Sequence, residues 1–381
     1  MRSYDMIIVG AGAAGLLLAD ALGKDPYFRE QSILLLEKEP KKKNDRTWCF
    51  WEAGSGSFDS FLHASWDRLH FGGKDYNATL PMAPYTYKMV RGIDFYREYH
   101  ARLANYPNVT LQREAVEVVR EEGDGVLVQT TGGDYWAGRV FNSLFSWETV
   151  AGQKKYPVLQ QHFLGWFVRT ETPVFDAGRA TFMDFSIPQQ GNTRFMYVLP
   201  FSEHEALVEY TLFSAELLED VSYEAAIAHY MRHRLHCDRY EVLEKEKGRI
   251  PMTCYRFSAS NTDRILHIGT AGGWAKPSTG YTFMNTHRNI RALIPHLKSS
   301  QKLAAFGRRN RFWWYDLLLL DILHRENHRG APIFESLFRR RSAPLILKFL
   351  DEQTSPWEDL KVIWACPKKD FVKALLLRIF K

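Results

Sequence analysis

The spacing of apolar positions changes several times along the chain, and each change marks an element. Met6-Ile7-Ile8-Val9 is an unbroken apolar run, as in a strand covered on both faces. A glycine-rich turn follows, then an apolar run of helical character to Leu22, then a second buried strand in "SILLLEKE" ending at Glu37. Residues 92–106, "GIDFYREYHARLANY", read as an amphipathic helix with Ile93, Phe95, Tyr96, Tyr99 and Leu103 apolar. Asp94 sits near its start, where the helix dipole favours an acid. "NVTLQ" and residues 117–144 read as a meander with Gly-Asp and Gly-Gly turns, and "RVFNSL" returns the chain to the first sheet. Residues 156–215 alternate in four segments, predicting an antiparallel sheet. Residues 216–247 read as helical. Residues 263–293 read as strand, glycine loop and helix, and the chain beyond 300 as helices.

The first turn carries chemistry. Gly10, Gly12 and Gly15 stand in G-x-G-x-x-G spacing between strand and helix, and Glu37 lies 22 residues past Gly15. Gly10 permits the tight turn, Gly12 admits a pyrophosphate to the backbone, and Gly15 lets helix and strand approach. Glu37 is placed to accept bonds from ribose hydroxyls. A plain tight turn in an α/β protein is the competing reading. The second loop holds Gly269, Thr270, Gly272, Gly273 and Gly280. In hydroxylase-type flavoproteins such a segment sets a helix N-terminus against the flavin, and the residue after the first glycine is usually Asp. Thr270 brings a hydroxyl there without the charge. Arg91, just before the amphipathic helix, is either a cofactor contact or a surface ion-pair member.

One acid stands out in "EHEALVEYTLFSAEL". On a strand, period two puts Leu207, Glu209, Thr211 and Phe213 on one face, and Val208, Tyr210 and Leu212 on the other. Both faces are largely apolar. If the strand is central, Glu209 is buried or lines a cavity, where desolvation keeps a carboxyl protonated. If it is an edge strand, Glu209 faces water.

Composition sharpens this only in places. The 381 residues are 45% hydrophobic and 14% aromatic, enough for two or three sub-structures with sizeable cores. Cys49, Cys237, Cys254 and Cys366 form no C-x-x-C pair, which predicts reduced thiols in a cytoplasmic protein. His229, His233 and His236, like His324 and His328, lack a ligand pattern around them, so no metal is expected. Residues 301–381 hold 16 Lys and Arg against 9 Asp and Glu, so the basic excess of the chain lies there. "LLLLDIL" is too short to span a bilayer, which takes about 20 residues. "GRRNRFWWYDLLLLDIL", "FRRRSAPLILKFL" and "KKDFVKALLLRIFK" mix basic residues with Trp, Phe and Leu, as interfacial helices do; a helical cap on the core is the alternative. No nucleic-acid motif accompanies them, and no nucleic-acid partner is expected.

Taken in order, "DMIIVGAGAAG", "NDRTWCFW", "YKMVRGIDF", "LVEYTLF", "GRIPMT" and "GTAGGWAKPSTGYTF" resemble the lycopene cyclases, carotenoid enzymes of the flavoprotein hydroxylase superfamily. Plant members carry Phe-Leu-Glu-Glu-Thr; here Glu209 and Thr211 match the first Glu and the Thr, and Tyr210 replaces the second Glu. The resemblance implies an α/β fold: a Rossmann-type FAD-binding domain, an antiparallel substrate domain and a helical C-terminal region. The expected division is 1–70, 88–150 and 255–300 for FAD, 71–87 and 151–254 for substrate, and 301–381 as a membrane-associating region. It further implies a redox-neutral lycopene β-cyclase in which Glu209 donates a proton, reduced FAD steadies the cation, and NAD(P)H serves as reductant. The cofactor residues would be Gly10, Gly12, Gly15, Glu37, Arg91, Gly269, Thr270, Gly273 and Gly280. Trp48, Phe50, Trp51, Trp166 and Tyr210 are candidates for an aromatic pocket wall that excludes water and stabilises positive charge. Lycopene, the cytoplasmic face of a membrane and other carotenoid enzymes are the expected partners. A monooxygenase or prenyl reductase of the same fold, or a flavin-binding protein without activity, would share most of these features.

Overall fold

The computed structural model describes residues 2–299, 301–307 and 310–379. Arg308, Arg309, Phe380 and Lys381 of the basic stretches lie outside the described residues. The strand Arg2–Val9 runs parallel to Ile33–Leu36 on one side and to Gly133–Asn142 on the other. Val109–Gln112 extends this sheet past Ile33–Leu36, while Gly125–Thr130, Val116–Glu122 and Ile265–His267 complete the far side. The apolar run explains the central position. Met6 and Ile8 enter the core under the helices Ala13–Lys24, Gly92–Leu103 and Phe283–Lys298, and Ile7 and Val9 enter the core on the opposite face.

A second seven-stranded sheet has the order Tyr240–Met252, Leu159–Thr170, Glu205–Ser214, Thr193–Pro200, Arg179–Asp184, Arg68–Gly72, Asn77–Pro81. Its pairs are antiparallel except Arg179–Asp184 with Arg68–Gly72. Glu205–Ser214 is therefore an interior strand, and the water-facing reading of Glu209 falls. A small third sheet joins Thr47–Ala53, Tyr85–Arg91 and Ala64–Trp66.

The expected helix over 216–247 is corrected. The helix covers only Asp220–His233; His236 has a left-handed φ of 53°, and Tyr240–Met252 is an edge strand along Leu159–Thr170. "EVLEKEKG" is rich in good helix formers, but the same Glu and Lys suit an edge strand, where exposed charge blocks further pairing. Tertiary pairing decides between them.

The C-terminal helices are mostly core. Leu317, Leu320 and Leu323 of Phe312–Arg325, Phe334 and Phe338 of Gly330–Arg340, and Ile346 and Leu347 of Ala343–Leu350 pack with Phe71, Phe182, Phe195 and Phe213 of the second sheet. "LLLLDIL" and "APLILKFL" thus supply interior surface. Large exposed side chains concentrate on the last two helices, Pro356–Ala365 and Lys368–Ile379, where Trp357, Trp364 and Ile379 are 77%, 66% and 65% exposed.

Candidate active site

The first glycine loop is built by close approach. Gly10 has φ +91°, and a Cβ on Gly15 would stand 1.9 Å from the Gly10 carbonyl oxygen. Any side chain at Gly15 would push the helix off the turn. Glu37 is buried and closes the loop: its Oε2 accepts from the Ala11 N–H at 2.7 Å and its Oε1 from the Glu39 N–H at 2.9 Å. Next to Gly12 lies open space, with no atom within 4 Å of a would-be Cβ.

The second loop follows Ile265–His267. Gly269, Gly273 and Gly280 have φ of +60°, +72° and +70°. Gly269, Thr270 and Gly280 border the same cavity as Gly12, whereas Gly273 is turned to the Phe257 ring. Lys276 anchors this loop. Its Nζ is buried and meets Asp316 Oδ2 at 3.0 Å and Glu352 Oε1 at 3.1 Å, while Ser278 Oγ donates to Asp316 Oδ1 at 2.6 Å. The clasp joins the loop to the helix Phe312–Arg325.

The shared cavity has a volume of about 440 Å³, and its walls include Gly12, Thr270 and Glu209. Period two delivers Glu209 here. Tyr210 points to the opposite face of the sheet, where its hydroxyl meets Arg194 Nη1 at 3.0 Å. Thr211 Oγ1 donates to Glu209 Oε1 at 2.5 Å. Burial raises the Glu209 carboxyl well above the ordinary carboxylate range, the neighbouring Glu246 pushes it further, and the Thr211 hydrogen bond opposes both. The Glu209 carboxyl is thereby held protonated near neutral pH.

Glu246 is the residue that sequence reasoning missed. It lies on Tyr240–Met252, is buried, lines the cavity and accepts from Thr47 Oγ1 at 2.7 Å. Burial raises its carboxyl too, against the lowering effect of Thr47. Reading 216–247 as helix hid it. The signal available was the alternation Glu244, Glu246, Gly248 running into "GRIPMT".

Two further expectations change. Arg91 is not among the cavity-lining residues: its guanidinium pairs with Glu244 and lies 5.1 Å from the Phe167 ring centroid. Of the five aromatic candidates only Trp48 borders the cavity. Trp166 and Tyr210 belong to the core on the other face of the sheet, and Phe50 and Trp51 are buried in the two main cores. Beside Trp48, the aromatic wall is made of Tyr87, Phe145, Phe163, Tyr197, Tyr281 and Phe283.

The residues fit a bound dinucleotide. Gly12 of the first glycine loop and Gly269, Thr270 and Gly280 of the second face one cavity, and Glu37 braces the first loop through the Ala11 N–H without lining the cavity. Two buried polar atoms on the cavity wall, Gln161 Oε1 and Thr279 Oγ1, have no hydrogen-bond partner among the described residues. Unpaired buried polar atoms call for a ligand or water.

A family model described as "Lycopene cyclase protein" matches residues 5–376. A chloroplastic lycopene beta cyclase from an Oncidium hybrid cultivar is 26% identical over 301 residues, covering 74% of this chain and 61% of that protein. A lycopene beta-cyclase from Paracoccus sp. (strain N81106 / MBIC 01143) is 30% identical over 127 residues, 32% of each chain. The chain thus spans less than two thirds of either relative. Among solved structures, a geranylgeranyl bacteriochlorophyll reductase-like protein from Thermoplasma acidophilum superposes with a TM-score of 0.61 at 14% identity, covering 99% of this chain and all of that one. That likeness shows a shared fold over nearly the whole chain.

Proposed function

Because the chain belongs to the lycopene cyclase family, we propose that it closes the linear ends of lycopene into β-ionone rings with Glu209 as the proton donor. The observation that carries this is a buried, protonated carboxyl on the wall of the cavity that the two glycine loops also border. Glu209 gives its proton to the terminal double bond of the end group, leaving a tertiary cation. The neighbouring double bond attacks that cation and forms the ring C–C bond. Loss of a ring proton then forms the ring double bond, so substrate and product are isomers. Tyr87, Tyr197 and Tyr281 crowd the site with aromatic surface, which keeps water from the cation and favours positive charge.

Gly10, Gly12, Gly15 and Glu37 would hold the adenosine pyrophosphate half of FAD, and Gly269, Thr270, Gly280, Gln161 and Thr279 the flavin half. Bound in reduced form, with NAD(P)H as the ultimate reductant, the flavin would supply fixed negative charge near the cation.

The test is expression in a bacterial host that accumulates lycopene, followed by pigment analysis. Pigments of unchanged mass carrying β-rings are expected; lycopene persisting beside folded flavoprotein would sink the assignment. The fold also fits a prenyl reductase or a monooxygenase, as the Thermoplasma protein's likeness illustrates. Either would change product mass and consume NAD(P)H with substrate.

Lycopene is a membrane solute, and the last two helices offer a route to it. Trp357, Leu360, Trp364, Val372, Leu375 and Leu376 are exposed there beside exposed Lys361, Lys368, Lys369 and Lys373. Lys368 Nζ sits 3.6 Å from the Trp364 ring centroid. Apolar side chains fringed by ammonium groups suit the headgroup boundary of an anionic leaflet. No helix of the described residues is long and apolar enough to cross a membrane, and a peripheral position at the cytoplasmic face is proposed. Replacing Trp357 and Trp364 by Ser should weaken co-sedimentation with phosphatidylcholine–phosphatidylserine vesicles about tenfold. Unchanged sedimentation would remove these helices from the contact.

A further inference from the structure

Gly165 is the midpoint of an unusual arrangement. On Leu159–Thr170 it pairs directly with Glu209 on one neighbouring strand and with Glu246 on the other. Directly paired residues project to the same face of a sheet. The two acids are thus set on either side of a position with no side chain. A Cβ on Gly165 would stand 3.5 Å from Glu209 Cβ, 3.3 Å from Glu246 Cγ and 2.8 Å from Leu207 Cδ1. The gap leaves no side chain between the two acids on this face, and both line the cavity. Each is held by one threonine hydroxyl, Thr211 on Glu209 Oε1 and Thr47 on Glu246 Oε2. Glu209 Oε2 and Glu246 Oε1 have no hydrogen-bond partner among the described residues. Two buried carboxyls at close range do not both ionise; they hold one proton between them. A site in that state contains an acid and a base at once.

Resting on the cyclase reading above, we propose that Glu246 is the catalytic base that removes the ring proton, paired through the Gly165 gap with Glu209 as acid. Glu209 starts protonated and Glu246 ionised. The Glu209 proton goes to the terminal double bond, and the new C–C bond moves the positive charge into the ring. Glu246 takes a proton from the adjacent ring carbon, whose C–H electrons become the ring double bond. Glu209 is then ionised and Glu246 protonated. Passing that proton back across the gap restores the start, with no net proton, oxidant or reductant consumed.

The test compares Glu246→Gln with the native chain on lycopene. β-Ring formation should fall about 100-fold, the effect of losing a positioned base. The residual product should carry a displaced ring double bond or a hydroxyl from water captured by the cation. Glu246→Asp should recover part of the β-ring product. The native pH profile should fall on both sides: on the alkaline side as the donor ionises, on the acid side as the base protonates. Glu246→Gln should lose the acid limb, which a merely structural role would not remove. Facing groups are Thr211, Cys49 and Tyr197 around Glu209, and Thr47, Glu244, Arg91 and Arg46 around Glu246. Should Glu246→Gln lose bound flavin, Gly165→Ala serves instead, since its methyl enters between the acids; a fall in β-ring formation is again expected. Native rate, product and pH profile in the variant would overturn the proposal and leave the cyclase reading standing. Failure of the native chain to cyclise lycopene would remove that reading itself.

Discussion

Glu209→Gln should leave a folded protein that still binds FAD and closes no rings. Glutamine keeps the shape and can still accept from Thr211, but it has no acidic proton to give. A positioned general acid contributes about 100- to 10,000-fold, and protonating an unactivated alkene belongs at the demanding end. The measurement is paired: bound flavin by absorbance, and cyclised pigment by chromatography. Flavin content should match the native chain, because Glu209 touches neither glycine loop's backbone hydrogen bonds. Activity within tenfold of native would take Glu209 out of the donor role. The native enzyme should also lose activity as pH rises through the raised pKa of this carboxyl, since only the protonated form donates. The substitution has a second readout. A group with a raised folded pKa lends stability that is fully present below its unfolded pKa and lost as pH rises through the folded one. Glu209→Gln should therefore flatten the fall in melting temperature between the ordinary carboxylate range and the raised value of about 8.

Lys276→Met should cost about 3–5 kcal/mol, the usual penalty for removing one partner of a buried ion pair. Lys276 and Asp316 have side chains only 1% and 5% exposed, so water cannot replace the lost ammonium. Asp316 would keep Ser278 and lose its counter-charge. The double variant Lys276→Met, Asp316→Leu should recover part of the loss, because an apolar pair of similar volume has no charge to desolvate, while Glu352 and the Ser278 hydroxyl stay without their partners. Denaturant midpoints at fixed pH provide the check. A single variant within 1 kcal/mol of native would mean that the pair contributes nothing net.

How much of this the sequence disclosed depended on how local each signal was. The first glycine loop and Glu37 follow one another within a single strand–helix–strand unit, so spacing alone located them. The face of Glu209 was legible because period two is a property of the strand itself. Glu246 was not, since Glu- and Lys-rich stretches satisfy helix propensity and edge-strand charge equally, and only pairing with Leu159–Thr170 separates the two. Arg91 was ambiguous for a similar reason: its partner Glu244 lies on that same misread strand. The aromatic wall could not be named because which face of which sheet meets the cavity is a tertiary fact. The C-terminal helices mixed the two meanings of a basic, aromatic segment. Most Leu and Phe of the first three proved to be core, while exposed apolar side chains concentrate on the last two helices, with Trp314 of Phe312–Arg325 a further exposed Trp. Lys276 and Asp316 are 40 residues apart, with no pattern between them that predicts a pairing.

The cavity's size bears on how a long, two-ended substrate would be handled. About 440 Å³ is the volume of a site for a drug-sized molecule. With the flavin half of a dinucleotide sharing that space, what is left would take in at most an end group and leave most of a forty-carbon chain outside. The chemistry is then blind to the far terminus, and a molecule with two equal ends must leave, turn and return to be finished. Such a catalyst is distributive. The one-ringed product should rise first, pass through a maximum and then decline as two-ringed product accumulates, with excess substrate prolonging the rise.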